Sequence, residues 1–354
     1  MNQPGTISLG YNTMGFDDEF MRFSFHRNLL PPYTHQYKNG CSRMDLYPIT
    51  IIYRLFKKDV LIWPQIDGKL SLKLEHLSSA NRLVSGQSHE AIVDVAATVE
   101  LARRFFKKEK IWRYLEGYFD KKTDAHRMAQ LPVGLQSAAG DHCSGLMVSG
   151  EYGPGQNYQI PVISIGSSLP YPNQTLWLRL DLPQLRETTP EATAETTWVI
   201  RKRMGEPGIV LPPHDRYWQK IGKDRNAIFQ ENLEWLQANQ EIFQHIIKYY
   251  REYRYPFIPN LDPDAALYQI GFYSRADEKL CRSFHRASLE KKADLVEQFS
   301  SPDARTLAWR IICRNYPGAM AAKFAGKFKT YMDCINPPRE ADAMVDYRQA
   351  SRIT

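Results

Sequence analysis

Apolar residues recur at helical spacing in the first hundred positions and at strand spacing in the middle of the chain. Phe16, Phe20 and Phe23 stand at i, i+4 and i+7, which predicts a helix with Asp17 in its first turn. Thr6 to Tyr11 reads as a strand end before it, and Asn12 is placed to cap it. A second helix is predicted over Ser71 to Leu77. A third follows from Ile92, Val95, Ala96, Val99 and Ala102, an apolar stripe of helical period with His89 just before it and Asp94 within it. From about Leu131 to Pro212 the texture changes to glycines, prolines and short apolar runs (Leu146 to Val148, Gln159 to Ile165, Leu176 to Leu180, Thr197 to Ile200), which predict strands in a small antiparallel barrel or sandwich. Helical periodicity returns after Arg225 with Phe229, Leu233, Leu236, Ile242, Ile246 and Tyr250, and the stretch Pro256 to Pro263 marks a domain boundary. No internal repeat is visible, and the polar residues after Pro338 are expected to be loosely held.

Composition narrows the class. A chain of 354 residues, 43% hydrophobic and 24% charged, can bury more than one core and suits two or three domains. Its apolar runs fall far short of the ~20 residues that cross a bilayer. Met1 to Leu9 lacks the basic start and apolar stretch of a secretory signal, so a cytoplasmic protein without a membrane span is expected. Cys41, Cys143, Cys281, Cys313 and Cys334 are odd in number and widely spaced, which argues against a disulfide framework or a zinc site. The formal charge of +7 is unevenly spread, with basic runs over Arg103 to Lys122 and Asp303 to Lys329. Such runs suit a polyanionic partner or two solvated helix faces equally well.

Two short patterns carry the candidate chemistry, Gly10-Tyr11-Asn12-x-x-x-Phe16-Asp17 and His89-x-x-x-x-Asp94. Taken singly each is also explained by end-of-helix charges and an exposed histidine, since a helix N-terminus favours carboxylates without any catalysis. In this order and at these helix starts they resemble the second and third motifs of the DEDD-type 3'-5' exonucleases. The likeness narrows to exonuclease I through Leu9-Gly10-Tyr11-Asn12, Phe16-Asp17-Asp18-Glu19, Arg27-Asn28, Ser42-Arg43-x-Asp45-Leu46, Trp63-Pro64, Leu74-Glu75-His76-Leu77 and Ala80-Asn81. Ala266-Leu267-Tyr268, Gly271-Phe272-Tyr273-Ser274 and Arg314-Asn315-Tyr316-Pro317-Gly318 resemble the helical C-terminal domain of that family.

This resemblance implies α/β plus β plus α architecture: a truncated RNase H-like exonuclease domain over 1–110, an SH3-like β-rich domain over 111–260 and a helical domain over 261–354. It implies removal of nucleotides from the 3' end of single-stranded DNA, in repair and recombination, with two Mg2+ ions as cofactors. Asp17 and Asp94 would hold metal, and His89 would take a proton from the attacking water, a role its near-neutral pKa suits. Asp45 matches a position that is structural more often than catalytic, and Glu75 and His76 read as parts of a packed helix. Arg103, Lys107, Arg310, Arg314 and Tyr316 are candidates for DNA contact, since single strands are held by cations interleaved with rings. Lys57 and Tyr114 fall near the family's site for the acidic C-terminal tail of single-stranded DNA-binding protein.

One departure matters. The family's first motif, Asp-x-Glu on the opening strand, supplies two further carboxylates, and Met1 to Gly10 contains no acid. The resemblance therefore implies a monomer that begins inside the nuclease domain and has little activity alone, through a split gene, a misplaced start or a natural truncation; in the first case a separate polypeptide would supply the missing motif. Two alternatives stay open: a single-stranded DNA-binding or scaffold remnant that has lost chemistry, and a DEDD exoribonuclease.

Overall fold

The computed structural model describes residues 3–84, 90–316 and 322–336. They form two compact units, one of residues 1–19 and 33–256, the other of residues 20–32 and 257–354.

The first unit opens with a short parallel strand pair, β1 (Ile7–Gly10) and β2 (Ser42–Asp45), in the register Ile7↔Ser42 to Gly10↔Asp45. Between them runs α1 (Asp17–Arg27), whose first turn counts with this unit and the rest with the other. Asn12 does not cap this helix as expected. It stands five residues ahead of it in the left-handed region (φ 57°), and its N–H is taken by Asp45.

The helix α2 (Leu46–Phe56) is buried on nearly every side, since Leu46, Ile49, Ile51, Ile52, Tyr53 and Leu55 all face core. A hairpin of β3 (Gln65–Ile66) and β4 (Lys69–Leu70) leads to α3 (Leu74–Asn81). This helix starts later than the sequence predicts, because Ser71 Oγ is engaged with His76 Nδ1 at 2.7 Å and holds the preceding residues extended. α4 (Ala91–Phe106) follows and packs on α2 through a stack of Tyr53 on Phe105 at 4.2 Å, with the Tyr53 hydroxyl donating to the Phe105 carbonyl at 2.7 Å. Two shorter helices, α5 (Glu109–Glu116) and α6 (Lys121–Ala129), complete this part.

An antiparallel sheet comes next, from β5 (Val133–Ser137), β6 (Gly140–Val148), β7 (Gln159–Ser167), β8 (Gln174–Arg179), the short helix α7 (Thr193–Thr196), β9 (Val199–Arg203) and β10 (Ile209–Leu211). Its order is β10-β6-β7-β8-β9, with β5 on β6. Both faces are apolar, and successive side chains alternate between two cores. Ile160, Val162 and Trp177 join α2, α4 and α5, whereas Ile163, Ile165, Leu176 and Leu178 meet the helices that follow the sheet. Those are α8 (Asp215–Trp218), α9 (Lys223–Ala238) and α10 (Gln240–Glu252). Two buried ion pairs fasten the sheet at its margins: Lys202 Nζ lies 2.8 Å from Asp124 of α6, and Asp181 takes Arg179 Nε at 2.6 Å and Arg225 Nε of α9 at 2.7 Å.

The second unit is helical, with α11 (Arg275–Arg286), α12 (Leu289–Val296), α13 (Pro302–Asn315) and α14 (Ala322–Ile335). Ser274 and Ser301 cap α11 and α13 by accepting from Asp277 N and Ala304 N, and Pro302 begins α13 where its missing N–H costs nothing. Phe284, Val296, Phe299, Leu307, Ile311 and Ile312 form its core together with Leu29, which the chain contributes from just beyond α1. The mixed α/β, β and α composition expected from the sequence is thus the one found. The cysteines are all free, and among the described residues no helix is long and apolar enough to cross a membrane. The residues after Pro338 lie outside those described.

Candidate active site

The loop after β1 is held by one carboxylate. Asp45, buried at the end of β2, accepts from Asn12 N at 2.7 Å, Met14 N at 3.3 Å and Tyr47 N at 2.8 Å, so it caps α2 and anchors the approach to α1 together. Burial pushes its carboxyl pKa up, although the N–H groups of Tyr47, Asn12, Met14 and Thr13 pull the other way. A Cβ at Gly10, where the loop starts, would run into the Thr13 side chain, so a larger residue there would force Thr13 to shift. Arg43 on β2 pairs with Asp18 and reaches Glu206 at 2.9 Å, which fixes the first turn of α1 beside it.

Asp17, thus positioned, lines a cavity of about 740 Å³ that Asp94 also lines. The remaining wall is Leu9, Tyr11, Tyr47, Leu72, Glu75, Val95 and Val99 among others. Two carboxylates that are distant in sequence therefore open into one trough, each from the first turn of its own helix. The trough also contains Glu75, which sequence reasoning set aside as a packing residue; it is paired with Lys73 at 3.7 Å and His76 at 3.5 Å. No local pattern marks it, since only the fold brings α3 beside α4. Tyr11 forms part of the wall, with its hydroxyl donating to the Leu72 carbonyl, and burial followed by its neighbour Tyr47 pushes its pKa well above the usual tyrosine value. His89 lies outside the described residues.

Magnesium takes hard oxygen ligands, and carboxylates are the right chemistry for it. Among the described residues, however, no three His, Cys, Asp or Glu side chains gather closely enough to hold a metal ion. The described residues do not by themselves fit a whole magnesium site.

The cationic candidates separate into groups. Arg103 and Lys107 are exposed on the last turns of α4 and just after it, with Arg103 only 3.9 Å from Glu100 of its own helix. Lys57 is exposed at the end of α2, next to Phe56, whose ring meets Tyr217 at 4.9 Å. Tyr114 presents a half-exposed ring with Arg127 4.3 Å above it and donates to or accepts from Tyr118 at 2.9 Å. Arg127, Arg216 and Tyr217 were not singled out in the sequence. Arg310 needs correction: it is 6% exposed, its guanidinium grips Asp262 at 2.7 and 2.8 Å, and the Tyr331 ring covers it at 3.8 Å. Its charge is spent inside the helical unit and is not offered to a phosphate. Arg314 donates to Asp264 at 3.3 Å and to the Arg27 carbonyl at 2.8 Å, while Tyr316 is exposed at the end of α13.

The fold of this chain is similar to that of solved exonuclease I structures. Residues 261–349 match the Exonuclease I C-terminal domain family. The chain is 25% identical over 338 residues to exodeoxyribonuclease I of Escherichia coli strain K12, which covers 90% of this chain and 68% of that protein. A solved structure of Escherichia coli exonuclease I in complex with a 5cy-dT13 oligonucleotide superposes with a TM-score of 0.78 at 24% identity, covering 95% of this chain and 73% of that one. The structure of SSB/exonuclease I in complex with inhibitor CFAM gives 0.76 at 23% identity, over 93% and 71%. The chain is thus similar to exodeoxyribonuclease I along most of its length.

Proposed function

We propose that the chain acts on single-stranded DNA as the larger part of a 3'-5' exonuclease, one that releases 5'-mononucleotides by magnesium-dependent hydrolysis in DNA repair and recombination. The observation that carries this reading is the meeting of Asp17 and Asp94 in one trough, in a chain similar to exodeoxyribonuclease I. Asp17 and Asp94 are then ligands to magnesium, two ions being bound in the complete enzyme, and His89 is the general base. Residues 1–110, 111–260 and 261–354 serve as nuclease, SH3-like and helical parts of a cytoplasmic monomer. Arg103 and Lys107, with Arg314 and Tyr316 in the helical unit, contact the strand.

Lys57 and Tyr114 form the seat for an acidic tail such as that of single-stranded DNA-binding protein. What supports this is Phe56, next to Lys57, whose ring meets Tyr217, and the Arg216 guanidinium that lies 4.6 Å from the Tyr217 ring. Acidic peptides are recognised by such clusters of cations and rings.

Among the described residues no three metal-holding side chains gather, which favours a second reading, in which this chain alone binds DNA and does not cut it. Release of label from a 3'-labelled single strand with magnesium, run beside fluorescence anisotropy of the same strand, separates the two. We expect binding that weakens with salt and release at background. Rapid release by the chain alone would contradict the second reading, and the absence of binding at low salt would sink both readings.

A further inference from the structure

We propose that α11 binds the phosphate backbone of double-stranded DNA through four cations on its outer face. The choice of DNA as the polyanion rests on the reading above, while the charged surface stands by itself.

Arg275, Lys279, Arg282 and Arg286 follow one another at i, i+4, i+7 and i+11. On a helix of 3.6 residues per turn these positions fall in one narrow stripe, and the residues opposite, Asp277, Cys281 and Phe284, are the buried ones. All four cations are exposed. They differ in this from Arg310 and Arg314 of α13, whose charges go to Asp262 and Asp264. Among the described residues none of the four is in an ion pair, although Glu278 stands three and four residues from Arg275 and Arg282. Like charges three and four residues apart repel one another on a helix, and an anion laid along the stripe relieves that repulsion.

The support under the stripe is fixed at both ends. Ser274 caps the first turn, and Asp277 accepts from Ser300 N at 2.9 Å and Ser301 N at 3.2 Å, which ties α11 to the start of α13. At the other end the Lys292 ammonium donates to the carbonyls of Phe284 and His285. Beside Lys279 a cleft of about 290 Å³ is lined by Ser283, Gln298 and Ser300. Hydroxyl and amide groups of this kind join cations in contacting phosphates. The acid in that cleft, Asp277, is the carboxylate already taken by Ser300 and Ser301.

At 1.5 Å per residue the stripe runs for about 16 Å, a length over which a duplex carries about nine charges. Single strands are gripped by cations interleaved with exposed rings. No exposed Phe, Tyr or Trp stands among these four cations, since Phe284 faces the core and Phe272, exposed, precedes the helix. Charge without stacking fits a duplex, whose bases are paired and whose phosphates lie outermost.

The test is fluorescence anisotropy in EDTA, with two labelled probes: a duplex of about 20 base pairs closed by short hairpin loops at both ends, and a single strand. The full chain is compared with its Arg275→Ser, Lys279→Ser, Arg282→Ser triple variant, changed only at exposed positions, and an unaltered urea midpoint shows that the fold is kept. If that midpoint falls, Arg282→Glu alone carries the comparison. The triple variant should bind the duplex at least tenfold more weakly, with a salt slope smaller by about 2.7, and the single strand within twofold of the parent. No binding of the closed duplex by the parent at low salt, or equal binding by the variant, would overturn the inference. Equal losses for duplex and single strand would overturn it too, making the stripe part of a single-strand site. Displacement of the duplex by poly-L-glutamate as readily as by unlabelled duplex of equal charge would do the same, in favour of an acidic protein. Duplex binding that the variant loses, with the single strand bound by neither, would leave the inference standing and sink the single-strand reading.

Discussion

The sheet of β5 to β10 and the pair β1–β2 with α4 both carry apolar residues at regular spacing and end in different states. In the sheet, the apolar side chains are taken up by two cores, and buried ion pairs close its margins. In the pair, β2 is held by Asp45 and Arg43, while among the described residues β1 has a partner on one edge only and α4 leaves Ile92, Val95 and Val99 exposed. The difference teaches that a period in the sequence reports which residues share a face, and that a covering surface must exist before the face is buried.

That contrast can be broken first on α4 itself. Leu101 is fully buried, so Leu101→Ala should cost about 2–5 kcal/mol in denaturant unfolding. Next comes Asp45→Ala, which strips three backbone N–H groups of their acceptor at a buried site; a loss of about 3 kcal/mol is expected from unsatisfied donors. A smaller effect follows from pH. The carboxyl pKa of Asp45 is raised in the fold by burial, so the folded state holds its proton more tightly than the unfolded chain. Its contribution is greatest below the ordinary carboxylate pKa of about 3.9 and declines as pH rises through the higher folded value. The stability difference between the chain and Asp45→Asn, measured by urea unfolding, should therefore shrink as pH rises; growth instead would reverse the assignment. Smallest of all is Val95→Ala, expected within about 0.5 kcal/mol because the side chain is exposed. A cost there equal to that of Leu101→Ala would mean that α4 is covered after all.

Local pattern made much of the fold legible. The helical stripe from Ile92 to Ala102 lies within α4, and the short apolar runs between Leu146 and Ile200 overlap β6 to β9. What stayed hidden was long-range. Asp45 reads as structural from its family position, but its partners emerge only when β2 pairs with β1 and brings the loop at Asn12 to its carboxylate. Arg310 reads as a free cation in a basic run until Asp262 and Asp264 are folded against it. Residues 20–32 belong to the helical unit although two hundred residues intervene, because Leu29 packs with Phe284 and Leu307 and His26 Nε2 lies 2.8 Å from the Pro263 carbonyl. Of the site, the two aspartates were legible through motif order, while Glu75 and the role of the α4 face depended on tertiary contacts.

The central claim is that Asp17 and Asp94 mark the place where the 3' end of a single strand is held, and photocrosslinking tests it without requiring catalysis. A strand carrying 4-thiothymidine at its 3' end should label peptides from the loop after β1 and from the first turns of α4, and the same group at the 5' end should leave both unlabelled. Labelling by the 3' probe confined to the sheet of β5 to β10, with neither aspartate's segment touched, would contradict the account.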